Sequence, residues 1–407
     1  MKILMFTPDI DITNGGPSRS TVNLCAALGQ AGADVTLYTT TPAGEVPDRT
    51  GDGFALRLFP RSWPKNRGNS RRLIRAVAAD AARYDLAHLH TLWNPAVTGV
   101  AAACRSAGLK YVLSPRGMLS AWTGPYRRLT KAVYYVLAER RTVHGAQRVH
   151  FLSEHEQAAS ARYLGPTSGL VLPNGVWVDQ FRRADQRAFR QRFGLAGKRL
   201  VVFLGRLHPI KQLNLQVEAF ARLARHHEDL HWVFVGPDGG VETELRGRLS
   251  QHNLADRAVF TGLLNGRDRI SALASASVYC QTSSHEGHSV AITEALAAAR
   301  PCVVTTGCHF DPIAEAGAGL VVEAEPEAIA AAVGRVLLDG DLALQMSGRA
   351  QQLVADRYSW PAIGRSMLAA YRQLVDTRPS ATAEPPAPPT AAWRQPDQPP
   401  IAQETTP

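Results

Sequence analysis

The sequence has no apolar run near the ~18 residues needed to cross a bilayer, and the apolar stretch in MKILMFTPDI is only four residues long before Thr7-Pro8-Asp9. A membrane span and a signal peptide are therefore not expected, and the chain reads as soluble or peripheral. Cysteine is scarce: Cys25, Cys104, Cys280, Cys302 and Cys308 are odd in number, irregularly spaced and without a CxxC pair. Neither a disulfide framework nor a zinc site is encoded, and a reducing cytosol fits best. The GxGxxG dinucleotide fingerprint is missing too. The second strand pattern ends in Thr39-Thr40-Thr41, where an acidic residue would hold a ribose, so an NAD-dependent oxidoreductase is disfavoured.

What is present points to two domains. A chain of 407 residues with 45% apolar content is globular and exceeds one ordinary core, since cores stop growing beyond ~250 residues. The net charge of +10 is uneven: 21 basic against 12 acidic residues in 1–180, 22 against 19 in 181–375, and 2 against 4 in the tail. RSWPKNRGNSRRLIR (61–75) and YRRLTKAVYYVLAERR (126–141) concentrate it. Such surfaces attract polyanions, whether phospholipid headgroups, lipid diphosphates or nucleic acid; a merely solvated basic face is the equal alternative.

Apolar strand patterns alternate with helical ones throughout. Strands are expected at 3–6, 35–38, 86–89, 111–113 and 149–152, with helices at 18–30, 71–83 and 95–107 between them. The rhythm restarts at LVVFLG (200–205) and continues through HWVFVG, AVFTG, SVYCQ and PCVVTT, ending at 306. Continuous Val/Ile/Leu-rich strands separated by helices imply parallel sheets covered on both faces, and two series imply two doubly wound α/β domains. The turn Pro173-Asn174-Gly175 marks the boundary. The last 30 residues hold nine of the 26 prolines and cannot build a core; disorder is expected there.

Three stretches carry candidate chemistry. In DITNGGPSRSTVNL (11–24), Gly15-Gly16 admits close backbone approach, and Pro17 suits the start of a helix whose amides attract anions. In LGRLHPIKQLNLQVEAF (204–220), Arg206 and Lys211 are cations at a strand's carboxyl end that can hold a diphosphate, or equally a solvated pair. In SSHEGHSVAITEALAAARPCVV (283–304), Glu286 stands in a loop and Glu294 a turn and a half into the following helix, with the amides of 287–290 between them. Carboxylates accept hydrogen bonds from vicinal diols.

Taken together, these motifs resemble glycosyltransferase family 4, over roughly residues 1–375. SPRGMLSAW (114–122) and LPNGV (172–176) are similar to segments of members that build bacterial polysaccharide. The resemblance implies the GT-B fold: an acceptor-binding Rossmann-like domain (1–178) and a nucleotide-sugar-binding one (185–357) facing a central cleft. A helix (358–375) crosses back onto the first domain, and a Pro-rich tail (376–407) follows. It implies a retaining, metal-independent hexosyltransferase without cofactor. The donor would be a nucleoside diphosphate sugar, and the acceptor a glycan or a polyprenyl-diphosphate-linked glycan; nucleic acid is not an expected partner. By the same resemblance Glu294 holds the ribose, and Glu286, Gly287, His288 and Ser289 the donor sugar and phosphates. Arg206 and Lys211 grip the diphosphate, and Gly15 and Gly16 approach it from the other domain. Arg116 and His90 are acceptor-side candidates. His288 stands where relatives usually carry an aromatic residue, and no Asp-x-Asp pair occupies a plausible place. The expected location is the cytoplasm or the inner face of its membrane. A nucleotide-sugar epimerase of related fold and a noncatalytic nucleotide-binding module are the alternatives.

Overall fold

In the computed structural model, residues 1–10, 16–41, 49–51, 53–62, 69–119 and 134–376 are described. Gly15, the tail beyond 376, and residues 63–68 and 126–133 of the two basic segments lie outside them.

One sheet contains β1 (Lys2–Phe6), β2 (Asp34–Thr41), β3 (Arg49–Gly51), β4 (Phe54–Pro60), β5 (Leu86–His90), β6 (Tyr111–Ser114), β7 (Arg148–Phe151) and β8 (Gly169–Val171). Its order is β3-β4-β2-β1-β5-β6-β7-β8, parallel except for the β3-β4 pair. The second contains β9 (Arg199–Leu204), β10 (Leu230–Val235), β11 (Ala258–Gly262), β12 (Val278–Gln281), β13 (Cys302–Thr305) and β14 (Gly319–Val322). It is wholly parallel in the order β11-β10-β9-β12-β13-β14. Two Rossmann-like α/β units are thus formed. The strands that the apolar pattern did not announce are β3, β4, β8 and β14. They lie at or next to sheet edges, where half-buried strands need no long apolar run.

The helices that position the site are α1 (Gly16–Gln30), α2 (Arg71–Asp80), α3 (Pro95–Ser106), α4 (Glu154–Leu164), α5 (Leu213–Leu223), α6 (Gly266–Ala274), α7 (Val290–Ala297) and α8 (Trp360–Asp376). Local sequence sets their starts. Asn94 caps α3 by accepting from the Ala96 amide at 2.9 Å, with Pro95 following it, and Ser153 caps α4 through the Glu156 amide at 3.1 Å.

Alternation along the strands explains why both sheet faces are apolar. Leu4 and Phe6 pack with Leu73 and Val77 of α2 and Val97 of α3 on one face; Ile3 and Met5 pack with Leu28 of α1 and Met367 and Tyr371 of α8 on the other. In the second sheet Val201 and Phe203 meet Val217 and Phe220 of α5, while Leu200 and Val202 meet Ile270 of α6 and Ile292 of α7. Burying each of these side chains contributes roughly 1.5–3 kcal/mol.

Helix α8 follows the second sheet in the chain but packs on the first. It approaches α1 so closely that a Cβ on Gly364 would lie 2.4 Å from the Ala27 carbonyl oxygen. The chain passes between the units twice, and the two passages are bonded together: Val176 N donates to Tyr358 O at 2.8 Å, and Trp360 N to Val176 O at 3.1 Å. No helix among the described residues is long and apolar enough to cross a membrane.

Candidate active site

The order of the second sheet reverses between β9 and β12, so the loops leaving those strands diverge and open a crevice at their carboxyl ends. Both sequence motifs of this domain end there. The loop after β9 leads through Arg206 to a short turn at Pro209–Lys211; the loop after β12 runs from Thr282 to Ser289. Lys211 Nζ forms an ion pair with Glu286 Oε1, and both side chains are largely buried. The same oxygen accepts from Gln281 Nε2 at 2.8 Å and from Ser283 Oγ at 2.6 Å. Gln281 is fixed in turn, its Oε1 accepting from Tyr279 Oη at 2.6 Å and Ser289 Oγ at 3.0 Å. Charge-assisted bonds of this kind hold a carboxylate in a single pose.

Ser289 also caps α7, accepting from the Ile292 amide at 3.4 Å, so its hydroxyl serves the protein and its part in any ligand contact falls to the backbone. The Gly287 carbonyl accepts from Ser153 Oγ of the other domain at 2.7 Å. The His288 ring packs against Phe310 and Tyr358, with centroids 5.7 and 6.1 Å away. It fills an aromatic position as a ring, and burial lowers its pKa to about 4.

Glu294 lies on the same helix in an adjoining pocket. It pairs with Arg269 of α6, the two side chains being 7% and 13% exposed. The pocket, about 280 Å³, is shared by both domains: Arg19, Ser20 and Asn23 of α1 face Gly205, Arg269 and Glu294, with Trp177, Phe181 and Trp360 as apolar wall. This is just under the ~300–1,000 Å³ of small-molecule sites, enough for part of a nucleotide. Burial lowers the pKa of Arg19, the nearby Arg269 lowers it further, and Glu294 opposes both.

On the facing domain, the ends of β5 and β6 carry left-handed backbone at Thr91 (φ 73°), Trp93 (φ 58°) and Arg116 (φ 55°). Such residues cost of order 1–3 kcal/mol each and cluster at functional sites. Glu139 accepts from Trp93 N at 2.8 Å, Glu156 accepts from the amide of Gly117, next to Arg116, at 2.5 Å, and Thr91 N donates to Ser114 O at 2.8 Å. Arg116 donates to Asn174 Oδ1 at 2.8 Å and to His90 Nδ1 at 3.0 Å, and burial lowers its pKa to about 10. His90 Nε2, Arg116 Nε and His288 Nε2 are buried without a hydrogen-bond partner. Buried polar atoms of this kind are uncommon.

Behind them runs a buried chain of bonds. Tyr371 Oη of α8 meets His88 Nδ1 at 2.5 Å, His88 Nε2 meets Ser114 Oγ at 2.7 Å, Ser114 Oγ meets His150 Nδ1 at 2.6 Å, and His150 Nε2 donates to Leu172 O at 2.8 Å. Burial lowers the pKa of His150 to about 3 and those of His88 and His90 well below the ordinary value. Unfolded, each titrates near ~6.5, so below that pH the unfolded chain binds protons that the folded chain refuses. Stability is therefore full above that pH and falls by about 1.4 kcal/mol per pH unit per histidine below it. Glu139 acts oppositely, because burial raises it to about 7 and protonation in the fold offsets one histidine between that value and ~4.3. The thermal midpoint is expected to drop steeply between pH 7 and 5. The slope should be shallower by one proton in His150→Gln, and an equal slope in the variant would refute the assignment.

The fold thus brings Lys211, Glu286, Gly287, His288 and Ser289 together, with Glu294 in the adjoining pocket and Arg116 and His90 on the opposite domain. Arg206 is exposed and makes no ion pair among the described residues. Gly16 opens α1. Sequence reasoning missed Arg19, Arg269, Gln281 and Asn174. Gln281 left a trace, a polar residue closing the otherwise apolar β12; Arg269 left none in RDRISALA.

Two family models match adjacent parts of the chain: glycosyl transferases group 1 over residues 185–353, and glycosyl transferase 4-like domain over 15–175. Among curated proteins, a Streptomyces kanamyceticus alpha-D-kanosaminyltransferase is 30% identical over 48% of this chain and 52% of its own length. A Mycolicibacterium smegmatis GDP-mannose-dependent alpha-(1-6)-phosphatidylinositol monomannoside mannosyltransferase is 29% identical over 68% and 74%. The chain thus spans about half to three quarters of the length of these relatives. Among solved structures, a Thermosynechococcus elongatus sucrose-phosphate synthase aligns with TM-score 0.70 at 21% identity, covering 92% of this chain and 98% of its own. Anabaena HepE in complex with UDP and glucose aligns with TM-score 0.69 at 20% identity, covering 92% and 100%.

Proposed function

Since the chain belongs to the group 1 glycosyl transferases, with a 4-like N-terminal domain and the GT-B fold, we propose that it is a retaining glycosyltransferase. It moves a sugar from a nucleoside diphosphate sugar to a glycan or lipid-linked acceptor. The observation that carries this reading is the anchored Lys211–Glu286 pair at the switch point, beside the Glu294 pocket. Glu294 receives the ribose hydroxyls. Lys211, Arg206 and the amides opening α7 meet the diphosphate, and preorganised charge of this kind stabilises a departing diphosphate without a divalent ion. The acceptor hydroxyl attacks the face from which the diphosphate leaves and passes its proton to a phosphate oxygen. Glu286 anchors Lys211 and the donor sugar in this scheme. The three donors converging on its Oε1 weaken it as a covalent nucleophile.

Two further features bear on the partners. The mycobacterial relative is named for GDP-mannose and a phosphatidylinositol mannoside, and the Anabaena structure holds UDP; both nucleotides therefore belong in any screen. The basic N-terminal half suits a lipid diphosphate at the inner face of a membrane, and the synthesis of exported polysaccharide is the setting. In a thermal-shift panel, one nucleotide sugar and its nucleoside diphosphate are expected to raise the midpoint by mass action. Nucleoside diphosphate should then be released only when a polyprenyl-linked acceptor is added. Interconversion of the sugar without release would point to an epimerase, and a panel without a hit to a noncatalytic module.

A further inference from the structure

His155, His285 and His309 are 130 and 24 residues apart in sequence and meet in the fold. His155 is the second residue of α4 in the N-terminal domain. His285 precedes Glu286 in the loop after β12, and His309 closes the turn after β13 in left-handed backbone (φ 49°). Each offers one ring nitrogen to a group whose members all lie within 4.8 Å of one another, and all three side chains are half-buried. The rings of His155 and His309 are parallel, with centroids 3.6 Å apart; His285 is tilted to His155 at 5.2 Å and edge-on to His309 at 5.3 Å.

We propose that these three histidines bind one divalent transition-metal ion, which ties the two domains together at the edge of the cleft. The His155–His309 stack and the ring contacts of His285 bring three ring nitrogens from two domains into one group. On a tetrahedron with metal–nitrogen bonds of ~2.0–2.1 Å, the ligand nitrogens lie about 3.3–3.4 Å apart, so binding requires side-chain rotations that close the group by up to about 1.5 Å and turn the stacked His155 and His309 rings apart, because their lone pairs lie in parallel planes. A metal takes imidazole in its neutral form. Three neutral nitrogens suit Zn²⁺, Co²⁺ or Ni²⁺ and not Mg²⁺ or Ca²⁺, which take oxygen ligands. Three protein ligands also leave a fourth position for water or an oxygen of a bound molecule.

The site lies where the domains already touch, since the Ser153 hydroxyl two residues before His155 donates to Gly287 O, two residues after His285. One ligand comes from one domain and two from the other, so metal binding favours the closed cleft.

The test is calorimetric titration of the full chain, without a polyhistidine tag and stripped by chelator, with Zn²⁺ and separately with Mg²⁺. One Zn²⁺ per chain is expected, with no heat from Mg²⁺. His155→Ala and His309→Gln should each weaken binding at least about 100-fold, because even outer-shell changes at metal sites cost 10–100-fold. Circular dichroism and thermal midpoints of the metal-free variants establish that they fold. Co²⁺ should give a ligand-field spectrum that is lost in His285→Ala, which provides a readout if either other variant fails to fold. Absence of Zn²⁺ binding, or binding unchanged in His155→Ala, overturns the proposal. No nucleotide is used, so the outcome is independent of the transferase reading.

Discussion

Lys211→Ala is expected to lower kcat by about 10²–10³-fold while leaving donor affinity nearly unchanged. The ammonium lies at the carboxyl end of the sheet where a leaving diphosphate gathers charge, and it is held by a carboxylate that is itself fixed by Gln281 and Ser283. A preorganised cation contributes most where charge develops, so the loss belongs to the chemical step. Lys211→Arg should restore little, because a planar fork cannot occupy the place of a compact ammonium beside Glu286. Single-turnover rates with saturating donor, alongside calorimetric donor binding, separate the two effects. A normal kcat with weakened donor binding would make Lys211 a binding residue only, and no change in either would remove it from the site.

Glu294→Ala should act in the opposite way, raising the donor KM by about 10–100-fold with a smaller change in kcat. That is the size expected for losing a charge-assisted pair of hydroxyl contacts, about 1.5–3 kcal/mol. The substitution also leaves Arg269 without its partner beside Arg19, and breaking a buried pair costs about 3–5 kcal/mol of stability. Glu294→Gln keeps the volume and one acceptor oxygen, so it should fold better and still bind the donor poorly. Donor binding that is normal in a well-folded Glu294→Gln protein would place the ribose elsewhere.

The two predictions rest on residues of very different legibility. Lys211, Glu286 and Glu294 were visible because each stands at a fixed offset from a strand end, where a loop must turn outward and a ligand can reach it. Gln281 and Arg269, which fix the two glutamates, were not visible. Gln281 looks like the last residue of a strand, and Arg269 looks like one more charge on a helix. Their roles come from pairs 5 and 25 residues apart in sequence, formed by packing that no local pattern encodes.

By itself the sequence determined the α/β class, the two doubly wound units and the strand ends that bear the charged loops. Those features follow from periodicity and turn chemistry, which act over a few residues. The return of α8 onto the first sheet was implied by family resemblance; only the tertiary structure decided that Arg19 and Glu294 share one pocket, and that Arg116, His90 and His288 carry buried atoms without partners. These depend on how two separately built sheets are set against each other. That setting is fixed by long-range burial and hydrogen bonding such as Tyr371 to His88, 283 positions apart in the chain.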